Sequence, residues 1–146
     1  MIEKTRGGFL ISRIKQVQGR IFEKLLKESG IEDFNGAQGR LLFVLWQSDN
    51  LSISDLGRKT SLAKTTLTSM LDRMEEKGHI KRNYDPEDRR QIRITLTKKA
   101  RSLNDRYREV SMKMNGIFYK DLTDEEIIQF DNMLERVLNN LKKYEG

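Results

Sequence analysis

The stretch that decides the fold is Leu51 to Thr97, LSISDLGRKTSLAKTTLTSMLDRMEEKGHIKRNYDPEDRRQIRITLT. Ser52-Ile-Ser-Asp55 has N-capping form, a hydroxyl to accept from freed backbone N–H groups and an acid near the positive helix end. Ile53 and Leu56 are the apolar residues of a short helix ending near Thr60. After the turn Thr60-Ser61-Leu62, a longer helix is expected from about Ala63 to Lys77, stopped by Gly78. Leu67, Met70, Leu71 and Met74 recur along it at helical spacing and mark its buried stripe. Lys64, Thr65, Thr68, Ser69, Asp72 and Arg73 fall on or near the opposite side. The N-terminal half of that face is short, hydroxyl-rich and carries one lysine, which lets a helix lie close to base edges and phosphates. Glu75-Glu76-Lys77, in the second half, is the composition of a merely solvated face.

Two β-like segments follow Gly78. In the second, Ile92, Ile94 and Leu96 alternate with Gln91, Arg93 and Thr95, the pattern of a half-buried strand. Between them lies Asp85-Pro-Glu-Asp-Arg-Arg90, a turn holding the chain's one proline. Lys81, Arg82, Arg89, Arg90 and Arg93 are the hairpin's bases, set against Asp85, Glu87 and Asp88. A basic hairpin beside a helix-turn-helix is a wing, and arginine at its tip suits a narrow, strongly negative minor groove. The bland alternative is a solvated turn with internal ion pairs.

Working outward, Asn35-Gly-Ala-Gln38 has capping-box form and opens a helix dense in apolar residues, Leu41, Leu42, Val44, Leu45 and Trp46. Before it, Phe9 to roughly Ser29 reads as a helix with Leu10, Ile14, Val17 and Ile21 on one face, widened by Phe22, Leu25 and Leu26. Gly30 is a good stop. That helix either meets a second subunit or packs as an ordinary core helix. Downstream, Thr97 can cap a helix running to about Lys120, with Leu103, Tyr107, Val110 and Met114 as its stripe. Thr123-Asp-Glu-Glu126 is a third capping box. The last helix carries Ile127, Phe130, Leu134, Val137, Leu141 and Tyr144 at alternating spacings of three and four, a heptad seam. The seam fits a helix in a subunit interface; a bundle with the first helix is the alternative. The expected fold is therefore mainly α with a small β-hairpin wing. It comprises an N-terminal dimerisation helix (1–34), a winged helix-turn-helix lobe (35–98) and C-terminal dimerisation helices (99–146).

Composition narrows the function. Charged residues make up 34% of the 146 residues, against about 25% in an average domain, as long solvated helical faces would give. The formal net charge of +6, from 28 Lys and Arg against 22 Asp and Glu, favours an anionic partner such as nucleic acid or an acidic membrane surface. With no cysteine, disulfides, thiolate metal sites, cysteine nucleophiles and thiol redox sensing are excluded. The N-terminus does not read as a signal peptide, and no apolar run approaches the ~18 residues of a membrane span. A cytoplasmic protein with no membrane partner is expected.

The segment LSISDLGRKTSLAKTTLTSMLDRMEEKGHIKR, Gln38 with the apolar helix after it, and DPEDRRQIRITLT running into a helix resemble the MarR/SlyA family of bacterial regulators. Asp88-Arg89-Arg90, Leu71-Asp72-Arg73 and Glu76-Lys77-Gly78 carry the resemblance in order and spacing. It implies an obligate homodimer built on the N- and C-terminal helices, binding pseudo-palindromic double-stranded DNA operators and often released by a small ligand. Lys64, Thr65, Thr66, Thr68 and Ser69 become the base-facing candidates, and Arg73 a backbone contact or an intramolecular ion-pair partner. Arg90 matches the wing arginine that enters the minor groove, Asp88 the acid that orients it, and Arg89 lies between them. Leu10, Ile14, Ile127, Phe130, Leu134, Val137 and Leu141 are the dimerisation candidates. Two departures stand out: many relatives have serine at the Ala63 position, where it can cap the recognition helix, and arginine at the Ser69 position.

The reading is thus a transcriptional regulator, in repressor form responsive to a small aromatic or anionic effector. Phe22, Phe43, Trp46 and Tyr107 are possible walls of an effector pocket, though core packing also explains each. The alternative is a winged-helix module that binds protein rather than specific DNA. An enzyme is disfavoured: the one histidine, His79, sits at a helix-to-strand junction, and no phosphate loop or metal-ligand cluster appears. No cofactor is expected.

Overall fold

Helix α1 (Gly7–Glu28) begins two residues earlier than the apolar pattern indicated. It ends where Gly30 turns left-handed at φ 74. There Gly30 N–H donates to the Lys27 carbonyl and Ile31 N–H to the Leu26 carbonyl, each at 2.9 Å, which satisfies carbonyls the last turn leaves open. Asn35 then starts α2 (Gly36–Gln47) through a complete capping box: Asn35 Oδ1 accepts from Gln38 N–H at 2.8 Å and Gln38 Oε1 accepts from Asn35 N–H at 3.2 Å. Leu41, Leu42 and Leu45 of α2 are wholly buried, so this helix is the centre of the core. The computed structural model describes residues 3–145.

A short strand β1 (Leu51–Ser52) leads into α3 (Ile53–Thr60), capped by Ser52 Oγ accepting from Asp55 N–H at 3.0 Å. Ser61, at φ 58, makes the turn into α4 (Lys64–Glu76). Strands β2 (Ile80–Tyr84) and β3 (Ile92–Leu96) follow. The expected hairpin is present, with Arg82 opposite Ile94 and Tyr84 opposite Ile92. β1 adds to its other side, Leu51 opposite Ile94, which makes an antiparallel sheet of order β1-β3-β2. A two-residue strand is too short to show a period of two, and its partner lies about forty residues downstream.

The helix expected from Thr97 to about Lys120 is two helices, α5 (Lys98–Ser102) and α6 (Asn104–Phe118). Ser102 Oγ donates to the Lys99 carbonyl at 2.6 Å, and Leu103 N–H reaches back only three residues, to the Ala100 carbonyl. Back-bonding of this kind tightens and bends a helix. Thr97 caps α5, accepting from Ala100 N–H at 3.2 Å, and its hydroxyl reaches the Gly78 carbonyl at 2.6 Å. One side chain thereby joins the end of the hairpin to the end of α4. Buried His79 adds a second tie, its Nε2 donating to the Asp33 carbonyl at 3.0 Å while Phe34 packs edge-on against the ring.

Two units can be distinguished, residues 1–112 and 113–146. The core of the first is Leu26, Ile31, Leu41, Leu42, Leu45, Leu56, Leu71, Met74, Ile80 and Ile94, all nearly or fully buried. The second holds the end of α6 and α7 (Asp124–Glu145), which starts with the expected reciprocal box between Thr123 and Glu126. Phe130 of α7 packs against Phe118 and Tyr119, and the Tyr119 hydroxyl donates to Asp131 at 2.6 Å. Phe130 is therefore partly used inside its own unit. No residue of α7 is buried; Leu134, Val137 and Leu141 are exposed, as are Leu10 and Ile14 of α1. Among the described residues, no helix is long and apolar enough to cross a membrane.

Candidate nucleic-acid interface

α4 has two chemically distinct sides. Leu67, Met70, Leu71 and Met74 are buried, while Lys64, Thr65, Thr66, Thr68, Ser69 and Arg73 are all exposed. Ala63 precedes the helix with extended backbone and makes no side-chain cap. A serine there would contribute roughly 1 kcal/mol. Thr68 Oγ1 donates to the Lys64 carbonyl at 2.9 Å, which leaves the lone pairs of this exposed hydroxyl available to accept. Neither Lys64 nor Arg73 forms a salt bridge among the described residues. Arg73's alternative role as an internal ion-pair partner is thus unfilled.

The wing tip is tied into a definite shape by its acids. Asp85 N–H donates to the Gln91 carbonyl and Gln91 N–H to the Asp88 carbonyl, each at 3.0 Å. Asp88 Oδ1 accepts from both the backbone N–H and Nε of Arg90, each at 3.1 Å. These bonds from Arg90 hold the Asp88 carboxyl below its ordinary range, so the contact is present at neutral pH and lost only as pH falls through that lowered value. The Arg90 side chain is 92% exposed. Asp88 also accepts from its Nη2, at 3.5 Å, while the rest of the guanidinium faces solvent. Arg89 is exposed without an ion pair among the described residues.

Two arginines grouped with these on sequence are committed elsewhere. Arg93 donates to Asp85 at 3.3 Å and to Oδ1 and the carbonyl of Asn50 at 3.1 and 3.0 Å, pinning the wing's base to the loop before β1. Arg82 turns toward α4 and pairs with Asp72. No periodicity links Asn50 to Arg93, or Asp72 to Arg82; both pairings depend on the folded register.

The four aromatic residues also separate. Phe22, Phe43 and Trp46 surround Tyr107, with ring centroids 5.7, 6.4 and 5.2 Å from its own. Phe22 and Tyr107 are buried, and burial pushes the Tyr107 phenol up. Trp46 donates from Nε1 to the Ala100 carbonyl at 3.1 Å. Phe43 and Trp46 line a 270 Å³ cavity with Arg108. Phe43 also borders a 530 Å³ cavity between α2 and α3, whose lining among the described residues combines Arg40 and Lys59 with Leu41, Val44 and Leu62 and includes no acid. Among the described residues, no cluster of His, Cys, Asp or Glu could hold a metal.

A helix-turn-helix with an uncovered cationic and hydroxyl-rich second helix, flanked by a wing whose tip arginines stand exposed, is the architecture of a winged-helix nucleic-acid-binding protein. The MarR family model matches residues 34–92. The chain is 38% identical over 85 residues to the transcriptional regulator TtmR of Methylorubrum extorquens, an alignment covering 58% of this chain and 42% of that one. It thus spans less than half of TtmR. It is 30% identical over 100 residues to the organic hydroperoxide resistance transcriptional regulator of Bacillus subtilis, covering 68% and 67% of the two chains. To the transcriptional repressor IacR of Pseudomonas putida it is 28% identical over 132 residues, covering 88% and 77%. A mutant of Escherichia coli MarR in complex with operator DNA superposes with a TM-score of 0.79 at 26% identity, covering 90% of this chain and 92% of that one. The chain belongs to the MarR family of winged helix-turn-helix transcriptional regulators, which are not enzymes.

Proposed function

We propose that this protein is a cytoplasmic homodimeric repressor that binds a pseudo-palindromic DNA operator. The Asp88–Arg90 pair carries the reading, because an arginine 92% exposed at a wing tip and oriented only by its neighbouring carboxylate is set to meet an outside anion. In this reading residues 35–98 bind DNA, while residues 1–34 and 99–146 pair two copies through Leu10, Ile14, Ile127, Phe130, Leu134, Val137 and Leu141. Lys64, Thr65, Thr66, Thr68 and Ser69 face the major groove, Arg73 meets the backbone, and the wing's Asp88, Arg89 and Arg90 follow the minor groove. The half-sites are then about one helical turn of 10–10.5 bp, or a multiple of it, apart. Selection from a random duplex pool should enrich an inverted repeat of that spacing. Arg90→Ala should weaken binding about tenfold at moderate salt and lower the slope of log affinity against log salt by about one. Unchanged affinity would remove the wing from the interface, and failure to enrich any duplex would favour a protein-binding module.

Repression is supported by the kinship with IacR. An aromatic or anionic effector is supported by the cations beside the two cavities next to Phe43, Arg108 at one and Arg40 with Lys59 at the other. Phe22 and Tyr107 would respond from beneath as packing residues. Such a ligand shifts the equilibrium between two spacings of the recognition helices only by its differential affinity for them. A thermal-shift screen of small aromatic acids should reveal stabilisation; none across the class would remove this part of the reading.

A further inference from the structure

The hairpin's cations divide by direction. Lys81, Arg89 and Arg90 are exposed, whereas Arg82, 24% exposed, turns back onto α4. Its Nη2 donates to Asp72, its Nε lies 3.7 Å from Glu75 Oε1, and its own backbone N–H donates to Glu75 Oε2 at 3.2 Å. Asp72 and Glu75 are three residues apart, so they share one face of the helix. On the sheet, Arg82 stands opposite Ile94 of the central strand, next to Asn83 opposite Arg93, which pins the wing's base. One guanidinium therefore joins the helix that would read bases to the sheet that carries the wing.

We propose that Arg82 is a positioning residue for DNA binding, holding α4 and the wing at the angle at which both reach their grooves together. The inference rests on the DNA-binding reading above. It opposes what charge alone implies. Asp72 and Glu75 are carboxylates on the recognition helix, and by electrostatics their removal should tighten binding to a polyanion. If they serve as the anchor for Arg82, their removal frees the joint. Binding must then order two elements that arrive unordered, and affinity falls. Arg82, already committed to two carboxylates, contributes no phosphate contact, so its loss leaves the salt dependence as it was.

The test uses the full-length protein and the duplex it enriches from a random pool. Asp72→Asn combined with Glu75→Gln should weaken binding by about five- to tenfold despite raising the net charge by two. Arg82→Gln should weaken binding similarly with an unchanged salt slope, in contrast to the drop of about one for Arg90→Ala. Circular dichroism melts establish that each variant is folded at the assay temperature; the double variant, which keeps Arg82, decides the matter if Arg82→Gln does not fold. Equal or tighter binding by the double variant overturns the proposal, as does a salt slope lowered by about one in Arg82→Gln. If the wild-type protein enriches no duplex, DNA binding itself fails and the role of Arg82 falls with it. If the wild type binds and the double variant binds tighter, only the positioning role falls.

Discussion

Gly39→Ala is expected to destabilise the protein by about 1–3 kcal/mol, the usual range for an overpacked core. Two effects of opposite sign meet at this position. Alanine is the better helix former by about 1 kcal/mol in an exposed helix interior, and Gly39 lies inside α2. A Cβ there would stand 2.5 Å from Cε2 of Tyr107 and 3.1 Å from Cε2 of Phe34. Both rings are buried, and Tyr107 is hemmed by Phe22, Phe43 and Trp46 as well. Neither ring has solvent to swing into, so the clash outweighs the propensity gain. Gly57, within α3, supplies the comparison: its added Cβ would meet only Leu67 Cδ2, at an ordinary 3.7 Å. Gly57→Ala should be neutral or stabilising by up to about 1 kcal/mol. Urea unfolding reads both. A midpoint for Gly39→Ala at or above wild type would mean that α2 does not rest on Tyr107 as described.

Val137→Asp is expected to yield a monomer and to reduce operator affinity about a hundredfold or more, because each copy then engages one half-site without the effective concentration that its partner provides. Val137 lies on α7 between Leu134 and Leu141, all three exposed. A carboxylate is harmless there in an isolated chain, so helical content should persist. Buried between two copies, an unpaired charge is strongly unfavourable. Sedimentation velocity decides it: a dimer mass retained by Val137→Asp would take this seam out of the proposed interface.

What could be read from the sequence was local. The capping boxes at Asn35 and Thr123 and the cap at Ser52 each link residues three apart, and each forms as composed. The stripe of Leu67, Met70, Leu71 and Met74 is written at helical spacing and lies in the core. The Asp88–Arg90 pair links residues two apart. What could not be read was long-range or sub-threshold. β1 is two residues long and pairs across more than forty. Arg82 and Arg93 looked like further members of a basic wing, but a strand's register decides which way a guanidinium turns, and here it turns them to Asp72 and to Asn50. The expected single helix after Thr97 failed at Ser102, where a hydroxyl bonded to a carbonyl three residues back shortens the last turn of α5. Aromatic identity alone did not divide the partly buried Trp46 from the fully packed Phe22 and Tyr107, since only packing tells wall from core.

The pairing of Glu75 with the backbone of Arg82 bears on colloidal behaviour. A small open sheet has two edges, and unpaired N–H and C=O groups along an edge are a template on which a second chain can add a strand. One edge here is β1, only two residues long. The other is β2, and its Arg82 N–H is already taken by the Glu75 carboxylate, with Lys81 charged beside it. An incoming strand would have to displace a carboxylate and bury a lysine to continue the ladder. The side chains that fasten the wing thus also guard the sheet against edge-to-edge aggregation.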